Sequence, residues 1–174
     1  ENPIPNKAQL AWQKAELGAV FHYDLHVFDN KKYRQTGSSG NRINPVEDYQ
    51  IFNPQELDTD QWIKTIKKAG FKFAIITATH ETGFALYPSN VNPYSVKALK
   101  WRDGKGDIVR DFVNSCRKYG IQPGIYVGIR WNSFFGVNDF KVDGTGEFQK
   151  KRQAYYNQMV EGMVKELCTQ YGPL

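Results

Sequence analysis

The sequence has 174 residues, of which 40% are hydrophobic, enough for one domain with an apolar core. No apolar run approaches the roughly 20 residues of a membrane-spanning helix, which argues against a membrane partner. The net charge of +5 comes from lysines and arginines spread along predicted helices, as on solvated helix faces, so we expect no nucleic-acid partner. Cys116 and Cys168 have neither disulfide-framework nor metal-site spacing.

The first predicted elements are a short helix and a buried strand. The helix covers 7–16, and the apolar run 19–21 follows it, a pattern typical of a buried strand. This strand ends in a polar cluster: His22, Tyr23, Asp24 and His26. Residues 29–57 are polar and turn-rich, and a connection of that length is usually functional or disordered.

Helices and strands then alternate to the end of the sequence. Asp58 and Gln61 form a capping-box pattern that begins a helix, and Gly70 ends it. The run 73–77 is typical of a fully buried strand. A helix over 107–119, a strand over 125–129 and a helix over 148–170 follow. Apolar strands that alternate with helices indicate a parallel sheet.

The lengths of the connections favour one α/β architecture. Helix-to-strand connections are short and strand-to-helix connections are long, which fits a barrel elaborated on one rim. We therefore expect a (β/α)8, TIM-barrel-like fold with only its first three to four βα units present. A doubly wound open sheet is the alternative, but no glycine-rich phosphate-binding motif follows any strand.

Polar side chains follow all three predicted strands. His22 and His26 come after the first, His80 after the second, and Trp131 after the third. In parallel α/β folds, binding sites lie at the carboxyl ends of the strands, so we expect these side chains to ring one pocket. A weaker alternative is a metal hydrolase, because His22, Asp24 and His26 alternate along an extended segment.

Aromatic residues near the predicted loops raise the possibility of a carbohydrate site. Aromatic ring faces suit the C–H faces of sugars, although packing in the core explains most such rings as well. The residues concerned are Tyr23, Tyr49, Tyr87, Tyr94, Trp101 and Trp131.

Four stretches of the sequence resemble glycoside hydrolase family 29, the α-L-fucosidases. Residues 18–23 (GAVFHY) are similar to the family's first-strand motif, and residues 77–89 (TATHETGFALYPS) to its second. The patterns in 52–58 and 101–121 resemble the branch that acts on α-1,3/4-linked fucose. The resemblance runs from about residue 8 to residue 174.

This resemblance implies an exo-glycosidase that releases terminal α-L-fucose from oligosaccharides or glycoconjugates, without a cofactor or metal. It implies a secreted or periplasmic location. By their match to family positions, His22, Glu47, His80 and Trp131 are the expected fucose-binding residues, and Glu81 stands where the family has a second histidine.

The resemblance also implies where the catalytic groups lie. Family members are retaining enzymes, in which two carboxyl groups about 5 Å apart act as nucleophile and as acid/base. The nucleophilic aspartate ends the family's fourth strand and the acid/base glutamate comes later, so both are expected after Leu174. Within the chain, Asp24, Glu47 and Glu81 are expected to be binding groups.

Several positions depart from the family pattern. Glu81 replaces the second histidine, Thr82 replaces an acid, Thr79 replaces a lysine, and Asp24 replaces a small residue. A glutamate accepts hydrogen bonds from sugar hydroxyls but, when ionised, donates none. These departures keep open a carbohydrate-binding barrel without turnover.

Three or four strands cannot close an eight-stranded barrel. We therefore expect residues 1–174 to be the N-terminal half of the catalytic domain. Its partner would be the missing C-terminal half of the barrel, and any C-terminal β-sandwich would also lie outside this sequence.

Overall fold

A computed structural model describes residues 3–28 and 48–174. The helices in these ranges are α1 (Lys7–Ala15), α2 (Thr59–Lys68), α3 (Ile108–Lys118) and α4 (Glu147–Gln170). The strands are β1 (Gly18–Phe21), β2 (Phe73–Thr79), β3 (Gln122–Val127), β4 (Val137–Asn138) and β5 (Lys141–Val142). In this part of the chain, no helix combines the length and apolar character needed to cross a bilayer.

The helix starts follow local capping chemistry. Asp58 accepts a hydrogen bond from the Gln61 backbone N–H at 3.0 Å, which is half of the predicted capping box. The Gln61 side chain turns to Thr65. A reciprocal capping box forms at α1 instead, where Asn6 and Gln9 bond each other's backbone N–H groups at 2.8 and 2.9 Å.

β1, β2 and β3 form a parallel sheet in that order, as the alternation of strands and helices predicts. Ala19 pairs with Ala74, and Ile76 pairs with Ile125. β3 begins and ends earlier than predicted, at Gln122 and Val127. The ladder between β2 and β3 becomes irregular between Thr77 and Thr79, and this register shift coincides with the early end of β3.

The two faces of the sheet differ in burial. On one face, Ile76 is fully buried, and Phe21 stacks on Trp62 of α2 and meets Phe112 of α3 edge-on. On the other face, Val20 is 52% exposed and Tyr126 is 47% exposed. In the described residues, helices α2 and α3 therefore cover only one side of the sheet.

The connection after β3 contains a small hairpin that the sequence pattern did not predict. β4 and β5 pair antiparallel, with Val137 opposite Val142. Asp139 and Phe140 form the turn with positive φ angles of 50° and 70°. This hairpin lies between the carboxyl end of β3 and the start of α4.

Candidate functional site

The central strand β2 holds the carboxyl ends of both neighbouring strands. The Thr77 hydroxyl accepts a hydrogen bond from the Tyr23 N–H and donates to the Tyr23 carbonyl, each at 3.1 Å. The Thr79 hydroxyl donates to the Gly128 carbonyl at 3.1 Å. These bonds fix the segments that leave β1 and β3 against the end of β2.

His22 and His80 meet at this edge, as their positions after β1 and β2 predict. Their ring centroids are 4.9 Å apart, with the rings at 81° to each other. His22 is exposed and His80 is partly buried, so both imidazoles border open space. The ring of Tyr126 lies 6.2 Å from that of His80. Neutral imidazoles can both donate to and accept from hydroxyl groups, which suits a sugar ligand.

Asp24 lies behind this histidine pair and is 8% exposed. Its carboxylate accepts hydrogen bonds from the Leu25 N–H at 2.8 Å, from the Thr82 N–H at 3.2 Å, and from the Thr82 hydroxyl. The Nδ1 atom of His80 is 3.9 Å from Asp24 Oδ2. Asp24 therefore joins the end of β1 to the segment after β2.

Glu81 is partly buried beside the same carboxylate. Burial raises the pKa of Glu81 above its ordinary value of 4.5, and the negative charge of Asp24 adds to the increase. A positive charge on His26 would act in the opposite direction on this pKa. Glu81 therefore keeps its proton to higher pH than an exposed glutamate does, and in the protonated form it can donate a hydrogen bond.

Trp131 is partly buried in the connection after β3. Its indole N–H donates to Asn138 at 3.2 Å, and the Arg130 guanidinium lies 4.5 Å from the centre of its ring. This connection is attached to the β2 side of the site through Ser133, whose N–H and hydroxyl both donate to the Thr82 carbonyl.

Gly83 and Asn132 meet at the same junction. Gly83 has a φ of +77°, and a Cβ placed there would lie 2.1 Å from Asn132 Nδ2. Only glycine permits this approach without displacing the amide. The Asn132 side chain in turn accepts a hydrogen bond from the Phe135 N–H at 2.9 Å, so this contact positions the connection after β3.

The other residues expected at the site are Glu47 and the aromatic candidates. Glu47 falls outside the described residues. Three of the six aromatic candidates are core residues: Tyr87, Tyr94 and Trp101 are at most 9% exposed. Tyr23 packs against other core rings, and burial raises its pKa. These rings therefore pack in the core and do not line the site.

The metal alternative gains no support from the geometry. In the ranges 3–28 and 48–174, no three His, Cys, Asp or Glu side chains are grouped so that they could hold a metal ion. His22, Asp24 and His26 thus do not converge. Asp24 is directed to Thr82, and His26 lies in the short helical turn Leu25–Phe28.

The pairing of Asp24 with Thr82 was not foreseen from the sequence. Each residue was recognised only as a separate departure from the family pattern. The signal that indicates their proximity is their position, because each lies three residues past the end of its strand, and the two strands are adjacent and parallel.

Comparison with known proteins assigns the chain to a family. The profile of the alpha-L-fucosidase family matches residues 5–174. The chain belongs to the alpha-L-fucosidase family. Alpha-L-fucosidase 1 of Arabidopsis thaliana is 30% identical over 177 aligned residues, which include 99% of this chain and 30% of the plant protein.

Solved structures extend this result to the fold. A candidate alpha-L-fucosidase of Bacteroides thetaiotaomicron is 65% identical, with a TM-score of 0.94 over all of this chain and 40% of that protein. A glycoside hydrolase 29 family member from an unknown rumen bacterium is 34% identical, with a TM-score of 0.71 over 98% of this chain and 26% of that protein. The chain thus spans a quarter to two fifths of the length of these relatives.

Proposed function

We propose that this fucosidase-family chain is the N-terminal part of the catalytic domain of a retaining exo-glycosidase that releases terminal α-L-fucose. The observation that carries the proposal is the contact between His22 and His80 at the carboxyl edge of a parallel sheet. In parallel α/β folds this edge is where substrates bind. Family membership then selects fucose among the possible sugars.

In the proposed site, this chain binds and orients the sugar. His22 and His80 exchange hydrogen bonds with ring hydroxyls, and Glu81, which holds its proton to higher pH, adds a further donor or acceptor. We also propose Glu47 and Trp131 as fucose-binding residues, because they match fucose-binding positions of the family. Several directed hydrogen bonds to one sugar would hold its anomeric carbon at a fixed point in the pocket.

The covalent chemistry belongs to groups beyond Leu174. A retaining mechanism requires two carboxyl groups roughly 5–5.5 Å apart, one as nucleophile and one as acid/base. Asp24 is unsuited to attack, since hydrogen bonds from Leu25 and Thr82 already occupy its oxygens. We place the nucleophilic aspartate at the end of the next strand of a (β/α)8 barrel and the acid/base glutamate later in the sequence.

The barrel proposal is supported by the uncovered side of the sheet. A cavity of about 650 Å³ lies between α1 and this side, with Trp12, Phe73 and Ile75 among its lining residues. In a closed eight-stranded barrel, side chains from the further strands would fill such a space. Fucosylated glycans that present terminal sugars are mostly found outside cells, so we propose a secreted or periplasmic enzyme with such glycans as substrates.

The test is an assay of the full-length protein on an aryl α-L-fucoside and on α-1,3/4-fucosylated oligosaccharides. We expect release of free fucose, and cleavage of the oligosaccharides would assign the protein to the branch that acts on those linkages. A folded protein that binds fucose without releasing any would instead be the carbohydrate-binding alternative. A folded protein that does neither contradicts the proposal.

A further inference from the structure

We propose that Asp24 is a positioning residue that orients His80, with Nδ1 of the imidazole toward the buried carboxylate and Nε2 toward the pocket. The proposal rests on the function proposed above, because it assigns His80 a sugar hydroxyl as ligand. It concerns a residue that departs from the family motif, where a small side chain is usual.

Asp24 is held in one orientation by the fold. It is only 8% exposed, and its two oxygens accept bonds from the Leu25 N–H, the Thr82 N–H and the Thr82 hydroxyl. These donors come from the chain after β1 and from the chain after β2. The side chain of Asp24 is therefore fixed from both sides of the site.

The carboxylate faces one particular nitrogen of His80. The distance from Asp24 Oδ2 to Nδ1 is 3.9 Å, which is longer than the roughly 2.7–3.2 Å of a direct bond. A small rotation of the ring or one bridging water closes such a gap, and bonds at catalytic sites are often long before substrate binds. A carboxyl oxygen that faces Nδ1 favours the tautomer with its proton on Nδ1, and the Nε2 atom of that tautomer is the acceptor for a sugar hydroxyl.

Thr82 offers a second position for the same carboxylate. The Thr82 hydroxyl donates to Asp24 and accepts a bond from the Phe84 N–H at 3.0 Å. An aspartate at 82 with a small residue at 24 would therefore place a carboxylate close to the present one, supplied from the β2 side. This geometry makes an exchange variant possible.

The experiment uses the full-length protein with 15N-labelled histidine and two readouts. The first is the 15N chemical shifts of the His80 imidazole, which report its tautomer without any substrate. The second is kcat and KM on an aryl α-L-fucoside. The variants are D24N, the exchange variant D24S/T82D, and E166Q as a control.

E166Q is a matched control because Glu166 is also a buried carboxylate that is 8% exposed. It accepts three hydrogen bonds, from Tyr87, Ser89 and the Asn90 N–H. These partners fix α4 to the chain after β2, and none belongs to the proposed site. Glu166→Gln therefore measures the structural cost of losing a buried charge.

For D24N we expect the His80 tautomer to change, because the new amide can donate to Nδ1. We expect kcat/KM to fall roughly 10- to 100-fold, mainly through KM, by analogy with the loss of an orienting partner behind a metal-bound histidine. D24S/T82D should restore both readouts, and E166Q should change neither. An unchanged tautomer in D24N would overturn the proposal, as would an exchange variant that folds without restoring the tautomer.

These outcomes are separable from those of the proposed function. If the wild type releases no fucose but D24N changes the His80 tautomer, the proposed function is refuted and the positioning role is supported. If D24N fails to fold, the single variant D24S is compared with D24S/T82D, because only the double variant keeps a carboxylate at the junction. An active wild type whose tautomer is unchanged in the variant that lacks the carboxylate would refute the positioning role alone.

Discussion

Glu81 lies where burial and the charge of Asp24 both oppose ionisation. Because its pKa is raised in the folded protein, the folded state binds more protons than the unfolded state over a window above pH 4.5. In that window, stability is highest at low pH and falls as the pH rises through the folded-state pKa. The same shift keeps Glu81 available as a hydrogen-bond donor above the pH at which an exposed glutamate ionises.

We predict that E81Q removes this loss of stability. Glutamine cannot ionise, so the free energy of unfolding of E81Q should gain on that of the wild type as the pH rises from 4.5 toward neutrality. Urea unfolding at a series of pH values measures the difference. A gap between the two proteins that does not vary with pH would show that Glu81 titrates normally.

The positions of His22 and His80 could be predicted because a side chain that directly follows a strand of a parallel sheet must lie at its carboxyl edge. The same rule places Asp24 and Thr82 near each other, but it does not predict the hydrogen bond between them. The pairing joins residues 58 positions apart through side-chain rotamers, which neither periodicity nor motif spacing encodes.

Gly83, which follows β2, contacts Asn132 in the connection after β3. Its φ of +77° and its closeness to Asn132 combine two requirements that only glycine meets. Gly70, which follows α2, has a φ of +91°, but a Cβ placed there would have no atom within 4 Å. Substitution at Gly70 would therefore cause backbone strain alone, whereas substitution at Gly83 would cause backbone strain and a steric clash.

We predict that G83A destabilises the protein by more than about 1 kcal/mol and by more than G70A does. Both variants force alanine into a left-handed conformation, but only G83A also displaces Asn132 and the connection after β3. Thermal or chemical unfolding of both variants measures the difference. Equal losses would mean that the contact between Gly83 and Asn132 contributes nothing.

Among the secondary-structure elements, the helices could be predicted best, because capping residues and apolar periodicity are local signals in the sequence. Asp58 caps α2 and Asp107 caps α3 through bonds to backbone N–H groups three residues later. The β4–β5 hairpin could not be foreseen, since two-residue strands contain no periodic pattern and depend on the chain packed around them.

The molecule as a whole has a sheet with one covered and one open face. Val20 on the open face is 52% exposed, yet its strand pairs with β2, in which Ala74 and Ile76 are fully buried. In the proposed barrel this face points inward and Val20 is packed against further strands. The parallel order of strands could be predicted from their alternation with helices, whereas closure depends on residues outside 1–174.

We predict that V20D destabilises the full-length protein by at least about 2 kcal/mol, because the barrel would bury an unpaired charge. Q61D introduces the same aspartate on the exposed surface of α2 and should change stability little. Unfolding of both variants gives the comparison. A V20D protein as stable as Q61D would show that the open face remains in contact with solvent and that no barrel closes over it.

The central claim is that this chain provides one wall of a fucose pocket centred on His22 and His80. The crystal structure of the full-length protein with L-fucose tests it most directly. The account predicts sugar hydroxyls within hydrogen-bond distance of both imidazoles, with Nδ1 of His80 turned to Asp24. Fucose bound away from the carboxyl edge of the β1–β2–β3 sheet, with no contact to either histidine, would contradict it.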